Sequence, residues 1–281
     1  MTISRRTLLS TAVTASIGAA IAPPAWAQRI RVLDALSPRF AEAQRVAKDD
    51  KRLRIQWVEF DSPQGTGKVR GYLARPEAAT GKLPGVLVVH ENRGLNPHIE
   101  DITRRLALDN FMAFAPDALT PLGGYPGDED AARALFAKLD QAKSREDFVA
   151  GVAWLKGRAD CTGKIGVVGF CYGGGIANML ATRLPDLAAA VPFYGSQPAA
   201  ADVPKIKAPL LIHYAATDDR INAGWPAYEA ALKVSGVPYT MHQYPGTQHG
   251  FNNDTTPRFD EAAAKLAWQR TVDFFNQHLR G

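Results

Sequence analysis

The chain has little cysteine. Cys161 and Cys171 are the two thiols in 281 residues, and no ligand spacing around either supports a metal site. It has no run of five like charges. Its formal net charge of +5 comes from scattered basic residues, which argues against a nucleic-acid-binding surface. Apolar runs long enough to cross a bilayer are missing. Internal repeats, low-complexity tracts and linkers are missing as well, so nothing divides the mature chain. There is no dinucleotide fingerprint, and Gly173-Gly174-Gly175 lacks the lysine and the spacing of a phosphate loop. No metal or organic cofactor is therefore implied. What remains is ordinary for a soluble globular protein: an apolar share of 46% and a charged share of 22%, at a length that fits one large α/β domain.

The N-terminus reads as a targeting segment. Ser4-Arg5-Arg6-Thr7-Leu8-Leu9 carries the paired arginines of a twin-arginine export signal. A mildly apolar run over residues 11–22 follows, and Ala25-Trp26-Ala27 is a small-x-small cleavage site. Residues 1–27 are expected to be a removable signal peptide, with a mature periplasmic domain over residues 28–281. The export machinery is then the precursor's partner, and no stable membrane association follows cleavage. Without Arg5 and Arg6, the 33 basic residues fall to 31 against 28 acidic ones, a balance of +3. An oxidising compartment raises the question of a disulfide. Cys161 stands at the foot of the strand that carries Cys171 at its top. Six extended residues span about 20 Å, whereas a bridge needs its Cα atoms within about 7 Å. The pair is expected to stay unbridged, and a monomer is the default assembly.

Hydrophobic periodicity places the elements. A peripheral arm over residues 28–51 has one amphipathic stretch, 39–47. Alternation over 52–60 and 68–75, around Gln64-Gly65-Thr66-Gly67, predicts an antiparallel hairpin. Buried strands are expected at 84–90, 111–115, 164–170, 187–194, 209–214 and 239–244. Helices are expected at 99–109, 131–139, 145–156, 176–181, 223–234 and 259–279, with a long loop over 116–130. Strand and helix alternate throughout. That pattern implies an α/β fold: a mostly parallel, twisted sheet with helices on both faces, whose ligands bind at the carboxyl ends of the strands.

The centre of the pattern is Gly169-Phe170-Cys171-Tyr172-Gly173-Gly174, where a buried strand stops at a cysteine and a helix begins. A residue forced into a sharp strand-to-helix turn needs neighbours without a Cβ on either side. The turn would hold the sulfur above the sheet at the positive end of a helix dipole, which lowers a thiol pKa. Three more strand ends carry polar clusters: His90-Glu91-Asn92-Arg93-Gly94-Leu95-Asn96, Thr217-Asp218-Asp219-Arg220-Ile221 and Thr247-Gln248-His249-Gly250-Phe251. Cysteine, aspartate and histidine thus follow one another in the chain order of an α/β-hydrolase triad. His249 can take the thiol proton and return it to a leaving oxygen. An aspartate, Asp218 or Asp219, would orient the imidazole. The backbone amides of Tyr172 and Asn92 would receive the oxyanion. His213 and His242 lie within strands and read as core or face residues, and His90 reads as packing.

These residues resemble the dienelactone hydrolase family of the α/β-hydrolase fold, over roughly residues 51–281. The resemblance rests on the cysteine elbow, Asp218, His249-Gly250-Phe251 and the His90–Asn96 stretch. It implies an ester or lactone hydrolase of the carboxymethylenebutenolidase kind, acting on a small-molecule substrate through a thioester. It favours Asp218 over Asp219, because the family's acid stands three residues before an apolar one, here Ile221. It gives Glu91 the part of a carboxylate that contacts the resting nucleophile and helps activate it. The family's dienelactone-cleaving members hold the substrate carboxylate with arginines, one of them shortly after the catalytic histidine. Here that segment reads Phe251-Asn252-Asn253-Asp254. Arg93 and Arg133 are the candidate replacements, with Tyr125, Tyr194 and Phe251 as candidate pocket walls beside Tyr172, Phe193 and Trp225. The rival readings are a broad carboxylesterase or thioesterase with the same residues, a thiol redox protein, and a non-catalytic binding module.

Overall fold

The computed structural model describes residues 45–280. The expected signal peptide, residues 1–27, and residues 28–44 of the expected arm lie outside the described residues. Arg45, Val46 and Ala47, the end of the expected amphipathic stretch, form a bend and coil. Among the described residues no helix is long and apolar enough to cross a membrane.

Eight strands build one sheet: β1 (Leu53–Ser62), β2 (Gly67–Pro76), β3 (Leu83–Val89), β4 (Met112–Pro116), β5 (Cys161–Phe170), β6 (Ala189–Phe193), β7 (Leu210–Thr217) and β8 (Tyr239–Gln248). Their order across the sheet is β1-β2-β4-β3-β5-β6-β7-β8. β1 and β2 form the expected hairpin, and β2 runs antiparallel to β4. Every later pairing is parallel. Both faces of the parallel part are covered, as the continuous apolar runs require. Val86 and Val88 of β3 and Val168 of β5 face one core, while Leu87, Val89 and Val167 face the other. This is the α/β-hydrolase fold.

Helices α1 (Pro97–Leu108) and α7 (Glu261–Arg280) supply Ile102, Leu106 and Phe275 to the first core. Helices α3 (Gln141–Lys156), α4 (Tyr172–Arg183) and α6 (Trp225–Ser235) supply Leu155, Leu180 and Leu232 to the second. Among the described residues there are two further short α-helices, α2 (Glu129–Phe136) and α5 (Asp219–Asn222). Several helices begin earlier than periodicity alone predicts, because caps extend them. Asp128 accepts from the Asp130 and Ala131 amides at the start of α2, and Asp140 does the same for Ala142 and Lys143 in α3. The expected loop over 116–130 therefore ends at Asp128 and contains a 3₁₀ turn, Thr120–Leu122. The helix expected at 223–234 is α6, which starts two residues later at Trp225 with Pro226 second, and the short α5 precedes it across Ala223 and Gly224. Cys161 is buried at the start of β5, and both cysteines are free thiols.

Candidate active site

The strand-to-helix turn forms at Cys171, between the last residue of β5 and the first of α4. Its backbone lies at φ 56° and ψ −110°, on the left-handed side that non-glycine residues avoid. Such a conformation costs on the order of 1–3 kcal/mol and persists where the surroundings over-determine it. Here they do. The Cys171 amide donates to Phe193 O at 3.1 Å, and its carbonyl accepts from the amides of Gly174 (3.1 Å) and Gly175 (3.3 Å). The flanking glycines are a packing requirement. A Cβ on Gly173 would collide with Val89 O and lie 2.7 Å from His90 O, and one on Gly169 would collide with Gly173 O. The turn and the end of β3 touch backbone to backbone.

Asp218 and His249 approach this turn from the ends of β7 and β8. His249 Nδ1 donates to Asp218 Oδ2 at 2.5 Å, so Nε2 is the free nitrogen. Asp218 stands at the cap position of α5, but its side chain makes no cap bond and serves the histidine instead. Asp219 is exposed. The Tyr194 ring packs against His249 with centroids 5.0 Å apart, and Phe251 packs edge-on against Tyr194. Both aromatics are fully buried, so they support the imidazole from beneath rather than line an open pocket. Phe193 is likewise core, and Trp225 packs among Tyr214, Tyr228 and Tyr239.

The thiol of Cys171 is pushed up to about 11. Burial is the main cause and the nearby Glu91 carboxylate the next; Asp218 acts in the same direction. The Tyr172 amide and the Arg220 guanidinium pull the other way without prevailing. The helix dipole was expected to lower this pKa. In the structure desolvation and a carboxylate outweigh the helix terminus, so the shift runs opposite to that expectation. Glu91 is held by Asn253, whose Nδ2 donates to Oε2 at 2.7 Å, with Arg93 Nη1 at 3.8 Å. The next residue, Asp254, anchors this segment: its carboxylate takes His98 Nδ1 and Arg45 Nε, each at 3.0 Å, and Arg105 Nη2 at 3.4 Å.

Two cavities lie near these residues, neither of them lined by Cys171 or His249. One, of about 560 Å³, is lined by Arg93, Asn96, Tyr125, Glu129 and Arg258 among others. Arg93 Nε lies 2.9 Å from Glu129 Oε2, and Tyr125 donates to Glu129 Oε1 at 2.9 Å. The other, of about 310 Å³, is lined by Arg145, Tyr172, Gly175, Ser196 and Gln197 among others. Arg93 thus reaches the site through Glu91, and Tyr125 is linked to Arg93 through Glu129. Arg133 stands apart: it is exposed on α2, paired with Asp130 at 3.2 Å, and lines neither cavity. Residue spacing gave no hint of Arg258. Its guanidinium lies over Gly250, where a Cβ would sit 3.3 Å from Nη2, and among the described residues it makes no ion pair. Asn253 and Arg220 were also missed, because each acts through a partner distant in sequence. Among the described residues no cluster of His, Cys, Asp or Glu is arranged to hold a metal ion.

Comparison with known proteins bears on the family and the fold. The model of the dienelactone hydrolase family matches residues 69–279. A Methylorubrum extorquens protein named "Putative carboxymethylenebutenolidase" is 30% identical over 293 aligned positions, spanning 99% of this chain and 94% of its own length. "Protein usf" of Aquifex pyrophilus is 37% identical, over 80% of this chain and 99% of its own. Among solved structures, a Klebsiella pneumoniae protein described as a "Putative Dienelactone Hydrolase" superposes with a TM-score of 0.71 at 30% identity, covering 80% of this chain and 99% of its own.

Proposed function

This chain belongs to the dienelactone hydrolase family and is a hydrolase of that kind; on that premise we propose that it cleaves an ester or lactone through a thioester on Cys171. The observation that carries the reading is the Cys171 thiol, held at positive φ at the start of α4 with the Asp218–His249 pair and the Glu91 carboxylate around it. In the first half-reaction the sulfur attacks the carbonyl carbon and its proton passes to the site's base. The oxyanion is received by the amides of Tyr172 and Asn92. Collapse breaks the carbon–oxygen bond, and the imidazolium of His249 protonates the leaving oxygen. Water, deprotonated by His249, then cleaves the thioester and releases the acid. Asp218 keeps Nδ1 protonated and favours the imidazolium. In the free enzyme Glu91 holds the thiol in its neutral form, and it takes part in activating the sulfur only once substrate is bound.

The substrate reading follows from charge. Arg258 lacks an acidic partner among the described residues and shares a cavity with Arg93. Together they favour a substrate with an anionic substituent, in place of the arginine missing from residues 251–254. The precursor is exported through its twin-arginine signal, so the mature enzyme works in the periplasm. N-terminal sequencing of the periplasmic protein tests this, with an expected start at Gln28 that is lost when Arg5 and Arg6 are changed to Lys.

The deciding experiment is hydrolysis of p-nitrophenyl acetate, a longer acyl ester, a plain lactone and a carboxylate-bearing dienelactone by the mature protein. Cys171→Ala is expected to abolish turnover. Arg258→Ala is expected to lower kcat/KM for the carboxylate-bearing substrate about tenfold or more and to leave the plain lactone unchanged. Turnover that survives Cys171→Ala would refute the mechanism. Equal losses on both lactones would refute the anionic substrate.

A further inference from the structure

His90 is fully buried at the end of β3 and takes no direct part in the chemistry described above. Its contacts are specific. Nδ1 lies 2.6 Å from Glu91 O, a carbonyl that can only accept, so Nδ1 carries the proton. Nε2 accepts from the Ala118 amide at 3.2 Å, so it is unprotonated. The ring is therefore a neutral imidazole of one defined tautomer, and burial, which pushes its pKa down, favours the same state. The ring also stacks on Tyr172, with centroids 6.2 Å apart and planes 21° apart, and meets Phe136 and Phe148 edge-on.

These contacts meet at one place. The peptide between Glu91 and Asn92 is trans, so its N–H points opposite to its C=O. Fixing the Glu91 carbonyl therefore fixes the direction of the Asn92 amide. The same imidazole lies against the side chain of Tyr172, which carries the second amide of the pair. The backbone of residues 89 and 90 is in direct contact with the turn at Gly173, so the two halves have no slack between them.

We propose that His90 is a positioning residue that holds the two amide donors of the oxyanion hole, on Asn92 and Tyr172, in register. The imidazole orients the Asn92 amide through the Glu91 carbonyl, is itself held by the Ala118 amide, and packs against Tyr172. The proposal rests on the Cys171 acyl-transfer reading. It concerns only steps in which an oxyanion forms. Alkylation of the thiol by iodoacetamide forms none, and it separates this role from a general loss of structure.

The experiment compares His90→Phe, His90→Gln and Cys171→Ala with the wild type, in ester hydrolysis and in iodoacetamide labelling of Cys171. Phenylalanine keeps the stacking and loses both hydrogen bonds. It is expected to lower kcat about ten- to a hundredfold, with KM within about threefold and the labelling rate within about twofold. The glutamine amide offers an N–H to the Glu91 carbonyl and a carbonyl oxygen to the Ala118 amide, and is expected to restore most of kcat. If His90→Phe does not fold, His90→Leu replaces it, since its side chain likewise has no polar atom, with the same expectation. Unchanged kcat in the variant without the bonds overturns the proposal. So does an equal fall in hydrolysis and labelling, or a glutamine variant no better than phenylalanine. Hydrolysis that survives Cys171→Ala overturns the thioester reading and this proposal with it. Hydrolysis lost in Cys171→Ala but normal in His90→Phe overturns this proposal alone.

Discussion

Replacing Gly173 by alanine tests whether the contact between the turn and the end of β3 matters for catalysis. Gly173 lies in the first turn of α4 and is buried. Its φ is not in the left-handed region, so alanine meets no backbone penalty and gains roughly 1 kcal/mol in helix propensity. Against this stands the overlap. The new Cβ would lie 2.7 Å from His90 O and closer still to Val89 O, whereas ordinary contact begins at 3.4 Å. The partners are backbone atoms, and the closer one, Val89 O, requires α4 and the end of β3 to separate by about 1 Å or more. Overpacking of this kind costs about 1–3 kcal/mol. The net loss of stability is then about 0–2 kcal/mol, or a fall in Tm of up to about 8 °C. The effect on activity is larger in relative terms. The separation moves the Tyr172 and Asn92 amides apart, and misplacement of about 1 Å costs on the order of a hundredfold in rate. Gly175→Ala is the control, because its Cβ would meet the movable hydroxyl of Ser196. The assay is kcat/KM for ester hydrolysis alongside thermal unfolding. Wild-type hydrolysis in Gly173→Ala would refute the reasoning, as would an equal loss in Gly175→Ala.

Three further predictions concern charge. Glu91→Gln removes a negative charge that holds the Cys171 thiol up, so at pH 8 iodoacetamide should label the variant faster while ester hydrolysis slows; slower labelling would contradict the assignment. Burial alone would raise the Asp254 carboxyl, but His98, Arg45 and Arg105 hold it well below the usual range. Its contribution is present above an unfolded value near 3.8 and is lost as pH falls below it, and Asp254→Asn should cost about 3–5 kcal/mol at pH 7 by urea unfolding. Burial, with His242 and Arg270 adding to it, keeps the His213 imidazole well below its ordinary value of 6.5. The unfolded chain then takes up a proton that the native state refuses, so stability should fall as pH drops below about 6.5. The slope is about 1.4 kcal/mol per pH unit for each such imidazole, and flat urea midpoints between pH 5 and 7 would contradict it.

Much of the fold is legible in the chain because it depends on local or strictly periodic demands. The hairpin of β1 and β2 follows from alternation around a glycine turn, and β3 and β5 follow from apolar runs that only a sheet covered on both faces can bury. The turn at Cys171 is legible for a steric reason. Any side chain placed there needs small neighbours two residues away on either side, whatever the rest of the protein does. The ends of helices were less accessible, since the caps at Asp128 and Asp140 lie outside the apolar repeat.

The site divides in the same way. The amino-acid sequence by itself determined the reactive residue types and the strand ends that present them, because chain order and short spacings carry that information. Tertiary structure alone decided which groups meet. It joined Asp218 to His249 and Asn253 to Glu91, turned Arg133 out to solvent, and laid Arg258 over Gly250. It also set the direction of the Cys171 pKa, which burial and Glu91 raise where the helix terminus alone would lower it. A thiol's pKa is a sum of desolvation and long-range charge, and both depend on residues that are remote in sequence and near only in the folded protein.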